Sequence, residues 1–144
     1  MAGAKYGKYV VKEPKGQPMP PRTTRIQSIS LTGANYGAIA PLNMDFNFVG
    51  IVGTHVMMDP SHKHNVDELL FFIPKEPGAA DLGGVVEVAL GEEWEKQTIS
   101  TPAIICLPAG VQHGPLYVKK VTTPFYFGHC LLAPKYSSSE TPAV

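Results

Sequence analysis

Ser61-His62-Lys63-His64-Asn65-Val66-Asp67-Glu68 runs directly into Leu69-Leu70-Phe71-Phe72-Ile73. The second half reads as a buried strand: five apolar residues in a row, with aromatic and β-branched side chains among them. The first half places three metal-capable side chains at even spacing. Successive side chains on a strand point to opposite faces, so His62 and His64 share one. Glu68, four residues further on, has the same parity. Two imidazoles and a carboxylate on one face can hold one divalent transition ion. Fe, Mn, Zn, Ni, Co or Cu suits that donor set better than Ca or Mg. With one long strand over His62–Ile73 the three converge directly. Otherwise a turn at Asn65-Val66 has to return Glu68 to the site.

Outward from this stretch the chain is a succession of short strands. Thr24–Leu31 and Gly37–Ala40 read as early strands. Phe46–Met58 reads as a long one interrupted at Gly50 and Gly53. Val85–Leu90 alternates, with Val86, Val88 and Leu90 on one face and Glu87 on the other. Trp94–Ile99 would be its hairpin partner across Gly91-Glu92-Glu93. Ala103–Leu107 leads into Pro108-Ala109-Gly110, a tight-turn signal, and His113 follows that turn. Leu116–Val121 and Pro124–Leu132 complete the set. Gly 14 and Pro 14 of 144 residues supply the turns an all-β sandwich or barrel needs.

Composition narrows the function. Lys+Arg 12 balances Asp+Glu 12, so the basic footprint of a nucleic-acid binder is missing and little steers the chain to an anionic membrane. The length suits one domain. Residues 1–24, rich in Pro, Gly and Lys, read as an arm with a short edge-strand run at Tyr9-Val10-Val11. The barrel would occupy 25–136, and 137–144 a flexible polar tail. No apolar signal-peptide core and no 18-residue apolar run occur, so the expected location is the cytoplasm. Cys106 and Cys130 lie in apolar runs and read as buried thiols of a reducing compartment.

Two motifs now stand in order. His62-x-His64 followed by Glu68 resembles the first motif of the cupin superfamily, and Pro108-x-Gly110-x-x-His113 resembles the second. The likeness spans roughly residues 45–132. The framing positions differ: Val56, Lys75, Pro102 and Tyr117 stand where cupins usually carry glycine, glycine, glycine and asparagine. Gly78, in the long Pro74–Gly84 connection, is the nearest substitute for the second of these. The resemblance implies a cupin-type β-barrel (a jelly roll of two antiparallel sheets). It implies one metal ion per subunit, held by His62, His64, Glu68 and His113 with coordination positions left open. It also implies a homodimer, with the arm exchanged between subunits.

Further groups are candidates for acid–base work: His55 in Gly53-Thr54-His55, His129 in Phe127-Gly128-His129, Tyr126, and Glu87 if its face is inward. Gln112 is a candidate pocket hydrogen-bonder, and Pro74–Gly84 a candidate lid. Leu70, Phe72, Phe125, Phe127 and Met57 would make an apolar, aromatic pocket mouth. Arg22 and Arg25 are the only arginines, which disfavours sugar phosphates and polycarboxylates, whose recognition wants cationic anchors. A metal-dependent enzyme acting on a small, mostly apolar or aromatic oxygenated substrate results, with dioxygenase-type chemistry slightly ahead. A redox-silent isomerase, lyase, decarboxylase or hydrolase, and a non-catalytic small-ligand binder, are the alternatives. Glu68 argues against the thiol dioxygenase branch, which uses three histidines alone.

Overall fold

A computed structural model describes residues 5–12, 25–31, 42, 44–132 and 138–141. Eleven strands follow in chain order: β1 (Arg25–Leu31), β2 (Asp45–Ile51), β3 (His55–Met57), β4 (Ser61–His64), β5 (Glu68–Pro74), β6 (Gly84–Leu90), β7 (Glu95–Ile99), β8 (Ala103–Leu107), β9 (His113–Val121), β10 (Phe125–Leu131) and β11 (Ser138–Thr141). They form two antiparallel sheets. One has the order β1-β2-β10-β5-β8; the other runs β11-β4-β9-β6-β7, with β3 also paired to β9.

The two long strands of the sequence reading are each split between the sheets. Phe46–Met58 becomes β2 in the first sheet and β3 in the second, with the break at 52–54 beside Gly53. His62–Ile73 becomes β4 and β5, with the corner at Asn65-Val66-Asp67. Each corner lets an apolar run change sheets and keep its inward face. Inward residues of β2, β5 and β10 (Ile51, Leu70, Phe72, Phe125) meet Val86 and Val88 of β6 and Leu116 of β9, and all seven are at most 1% exposed.

Some segments depart from expectation. Tyr9 closes a single 3-10 turn, Gly7–Tyr9, instead of starting an edge strand. Ser138–Thr141, read as tail, forms β11 and pairs with β4. Strand β9 begins at His113 itself, three residues before the sequence suggested. The Gly37–Ala40 strand and residues 13–24 of the arm lie outside the described residues. Cys106 is exposed and Cys130 half-buried, because Ile105 and Leu107 take the inward positions of β8 and Leu131 that of β10. No helix among the described residues is long and apolar enough to cross a membrane.

One backbone position ties the barrel end together. Gly114, next to His113, has φ +92°, and a Cβ there would collide with the Met58 carbonyl oxygen. Glycine alone meets both demands. Gly114→Ala is expected to cost about 2–3 kcal/mol or more, from the left-handed φ together with the clash. A denaturant midpoint unchanged from wild type would refute that.

Candidate metal centre

The site sits where the two sheets meet. His62 and His113 are directly opposite each other in the β4–β9 pairing. The chain then turns at 65–67 into the other sheet and delivers Glu68 as the first residue of β5, flanked by Leu107 of β8 and Leu131 of β10 in that same sheet. The corner is pinned from three sides. Gly110 N donates to the His64 carbonyl at 2.8 Å, Ala109 N to Asp67 Oδ1 at 2.8 Å, and Leu132 N to the Asp67 carbonyl at 3.1 Å. The Pro108–Gly110 turn is therefore bonded to the very corner that carries the first candidate ligands. Behind His113, Gln112 Nε2 donates to Ser61 Oγ at 3.2 Å, and Ser61 Oγ donates to the His113 carbonyl at 3.1 Å. Gln112 is thus a buried clamp between β4 and β9.

The ligand atoms of His62, His64 and His113 all lie within 4.8 Å of one another. Glu68 reaches two of them: Oε1 is 2.9 Å from His113 Nε2, and Oε2 is 3.6 Å from His64 Nε2. Metal–ligand bonds of about 2.0–2.2 Å put the donors of a single ion roughly 3–4.4 Å apart, so the scale fits. The chemistry fits as well. His113 Nδ1 faces the Val111 carbonyl at 3.0 Å and His62 Nδ1 faces that of Pro60 at 3.3 Å. A carbonyl only accepts, so each Nδ1 carries a proton, and in the neutral ring Nε2 is the nitrogen that can ligate an ion. With the His113 ring neutral, its Nε2 and Glu68 Oε1 are two buried acceptors 2.9 Å apart; with the ring protonated, Nε2 donates to Glu68 and the two form an ion pair. Only a proton or a cation relieves that opposition. Burial pushes the Glu68 carboxyl up, but the hydrogen bond to His113 and the charges of His113, His129 and His64 outweigh it and hold the group below its usual range. Glu68 is therefore the anionic member of the set.

His129 faces the same space. Asn47 Nδ2 donates to its Nε2 at 3.1 Å, so Nδ1 carries the proton and points toward Glu68 Oε2, 3.8 Å away. Burial, ahead of all charge effects, lowers the His129 pKa. Burial likewise raises Asp45, two residues before Asn47 on the same face of β2. Above the imidazoles opens a cavity of about 450 Å³. Val49, Val56, Met57, Phe127 and Leu131 form its apolar wall; Asn47, Asp59, His62, His64, Glu68 and His129 supply polar atoms.

No protein-family profile and no curated protein matches the chain. Solved structures do match. An oxalate oxidase in complex with glycolate superposes with a TM-score of 0.62 at 14% identity, over 96% of this chain and 65% of that one. The coconut allergen cocosin gives 0.61 at 12%, over 90% and 32%. An oxalate decarboxylase–formate complex from Lactobacillus farciminis gives 0.52 at 13%, over 79% and 30%. The chain has the cupin fold. It spans less than two thirds of each of these three neighbours, and such identities speak for the fold alone. Neighbours also include Peruvianin-I, described as a cysteine peptidase, so the cupin barrel does not by itself select a chemistry.

Within the barrel, several candidate groups fall away from the metal centre. Glu87 points outward, opposite Val86 and Val88, and pairs with Lys96 at 3.5 Å. Tyr126 occupies the outer face of β10 and packs edge-on against Phe48, centroids 5.9 Å apart. His55 sits opposite Val118, five residues along β9 from His113, which is about 16 Å of strand. Its Nδ1 bonds the Gly53 carbonyl at 3.0 Å, and it does not line the cavity. The Pro74–Gly84 connection is no lid. It leaves β5 six residues beyond Glu68, about 20 Å down the strand. There Leu82 is buried and Gly83 O accepts from Thr122 and Thr123. Leu70, Phe72 and Phe125 fill the core, while Met57 and Phe127 do reach the cavity wall. Asn47 and Asp59 escaped notice in the sequence. The signal for Asn47 was available: it shares parity with Val49 and Ile51, so it is a polar residue at an inward position.

Two measurements follow. An ion at 100 times its dissociation constant adds about 2.7 kcal/mol to stability, or roughly 8 °C in Tm at this chain length. Chelation of the loaded protein is expected to remove that increment, and His113→Ala to abolish it; a Tm indifferent to both would refute the centre. The second concerns pH. Burial lowers His129 in the folded state, so the unfolded chain takes up a proton first, near the ordinary 6.5. The chelated protein is expected to lose stability as pH falls from about 7 to 5.5, and His129→Gln to flatten that slope.

Proposed function

We propose that this protein is a metal-dependent cupin enzyme acting on a small, mostly apolar or aromatic oxygenated substrate, with dioxygenase-type chemistry ahead of the alternatives. The observation carrying this reading is the union of three imidazoles and one carboxylate with an apolar cavity over one side of them. His62, His64, His113 and Glu68 would hold the ion. When bound, it supplies Lewis-acid polarisation and, for a redox metal, activation of dioxygen beside the substrate.

The chain's own residues do the rest. Asn47 holds His129 Nε2, which leaves Nδ1–H as the atom that donates to a substrate oxygen or passes a proton. The Val49, Met57, Phe127 and Leu131 wall takes an apolar body and keeps water away. Charge sets the substrate class. Among the described residues the lining includes Asp59 and Glu68 but no Lys or Arg, so two carboxylates already balance a divalent ion. A dianion such as the oxalate named for two neighbours would lack a cationic anchor. A neutral or singly charged bidentate oxygen ligand, such as an enediol, catechol or β-diketone, suits the cavity.

A redox-silent isomerase, lyase, decarboxylase or hydrolase is the second reading. It is favoured by one contact: His129 places a proton-carrying nitrogen 3.8 Å from Glu68, within reach of a polarised carbonyl. A cytoplasmic location and a homodimer complete the proposal; the free thiols Cys106 and Cys130 fit a reducing compartment.

The test is metal analysis of anaerobically purified protein, followed by dioxygen-uptake assays with catechol-like and diketone-like compounds. Stoichiometric Fe or Mn with oxygen consumption is expected, and loss of metal in His62→Ala with the fold retained. Bound zinc without oxygen uptake would hand the site to the redox-silent reading. Full metal retention in the His62→Ala/His113→Ala double variant would overturn the ligand set.

A further inference from the structure

The cavity over the metal centre is lined in a way that a regular strand cannot supply. Val56, Met57, Met58 and Asp59 are consecutive, and all four border it. Successive side chains on a strand face opposite ways, so only every second one could do so. Strand β3 ends at Met57, and Met58 breaks the alternation with φ +55°. That left-handed region is disfavoured for a long side chain, so the turn is held by its surroundings. The Met58 carbonyl oxygen packs on Gly114, the neighbour of His113. On the other side the Pro60 carbonyl lies 3.3 Å from His62 Nδ1. Asp59 therefore stands between two residues that are each anchored beside a candidate ligand.

We propose that Asp59 is a specificity-determining residue that binds a protonated amine of the substrate at the cavity mouth, away from the oxygens that face the imidazoles. This rests on the reading of the cavity as a substrate site. Depth separates the two carboxylates of the described lining. Glu68 is 6% exposed and faces His113 and His64, so it belongs to the ion. Asp59 is exposed and makes no ion pair among the described residues, so it is open to the substrate. Charge then decides the class. Together the two carboxylates balance a divalent ion. A substrate that chelates through a deprotonated oxygen adds one negative charge. No Lys or Arg of the described lining offsets it, so the substrate carries its own positive group. An ammonium donates charge-assisted hydrogen bonds to a carboxylate. At an exposed mouth neither charge meets the desolvation cost of a buried pair. Val49, Met57, Phe127 and Leu131 take the carbon frame that joins the two ends. The substrate class narrows to a small amine whose other end is a bidentate oxygen ligand.

Anaerobic calorimetry of the full chain, carrying the metal it is purified with, tests this with three probes of similar size: aminoethyl-, ethyl- and carboxyethyl-catechol. The amine is expected to bind about five- to tenfold more tightly than the ethyl compound, and the acid more weakly than either. Added salt is expected to narrow the gap. Asp59→Asn is expected to bring the amine level with the ethyl compound, with metal content and Tm unchanged. Asp59→Lys is expected to reverse the order of amine and acid, which a merely structural role would not do. Equal binding of all three probes by the wild type would overturn the role of Asp59 and leave the catechol-type site standing. Binding of none would overturn the substrate reading beneath it, and this proposal with it. Loss of metal in Asp59→Asn would make Asp59 a ligand and overturn the proposal too.

Discussion

The buried opposition of Glu68 Oε1 and His113 Nε2, 2.9 Å apart, is the constraint on which the rest of the barrel end depends. With His113 neutral, two lone pairs at that distance repel in a medium of low dielectric, and leaving each unsatisfied costs about 1–3 kcal/mol. Evolution of an apolar core would remove such a pair. Instead the structure commits one residue from each sheet to it and steers the rings from behind, through carbonyls of Val111 and Pro60 that dictate which nitrogen faces inward. The arrangement is coherent only with positive charge between the groups, and the corner at 65–67 exists to deliver Glu68 to it.

The same corner explains how the two sequence motifs become one object. Gly110 N to His64 O and Ala109 N to Asp67 Oδ1 join the turn after β8 to the turn after β4. Pro108 and Gly110 are thus more than a bend before His113. They present two amides to the chain segment that holds the other ligands. Asp67, silent as a candidate in the sequence, does as much to hold the site as any ligand.

Much of the architecture was legible because the barrel obeys strand parity. Val86 and Val88 inward with Glu87 outward follows from alternation alone, and so does the shared face of His62 and His64. What escaped was geometry that parity cannot encode. The splitting of Phe46–Met58 between two sheets depends on where the run turns its corner, and its two glycines offered two places; for His62–Ile73 the corner at Asn65-Val66 was one of two readings. His55 and His129 looked alike in sequence, each a lone histidine on an apolar strand. Distance along the strand from His113 separates them: His55 lies too far up β9, while β10 sets His129 opposite Leu70, two residues past Glu68. Cys106 was misjudged because an apolar run was taken for a buried one, when β8 is apolar on its outward face too.

The ligands come from positions 62 to 113, and no local segment holds more than part of the set. Their convergence needs β4 against β9 and β5 against β8, long-range pairings that form only as the barrel closes. An unfolded chain offers an ion only the local His62-x-His64 pair, not the whole set. The full donor set is therefore on offer only in a closed barrel. Once closed, the barrel offers a donor set many divalent ions satisfy, and affinity alone follows the general order of those ions. The ion such a site would hold then depends on which ions are on hand as much as on any preference written into the four side chains.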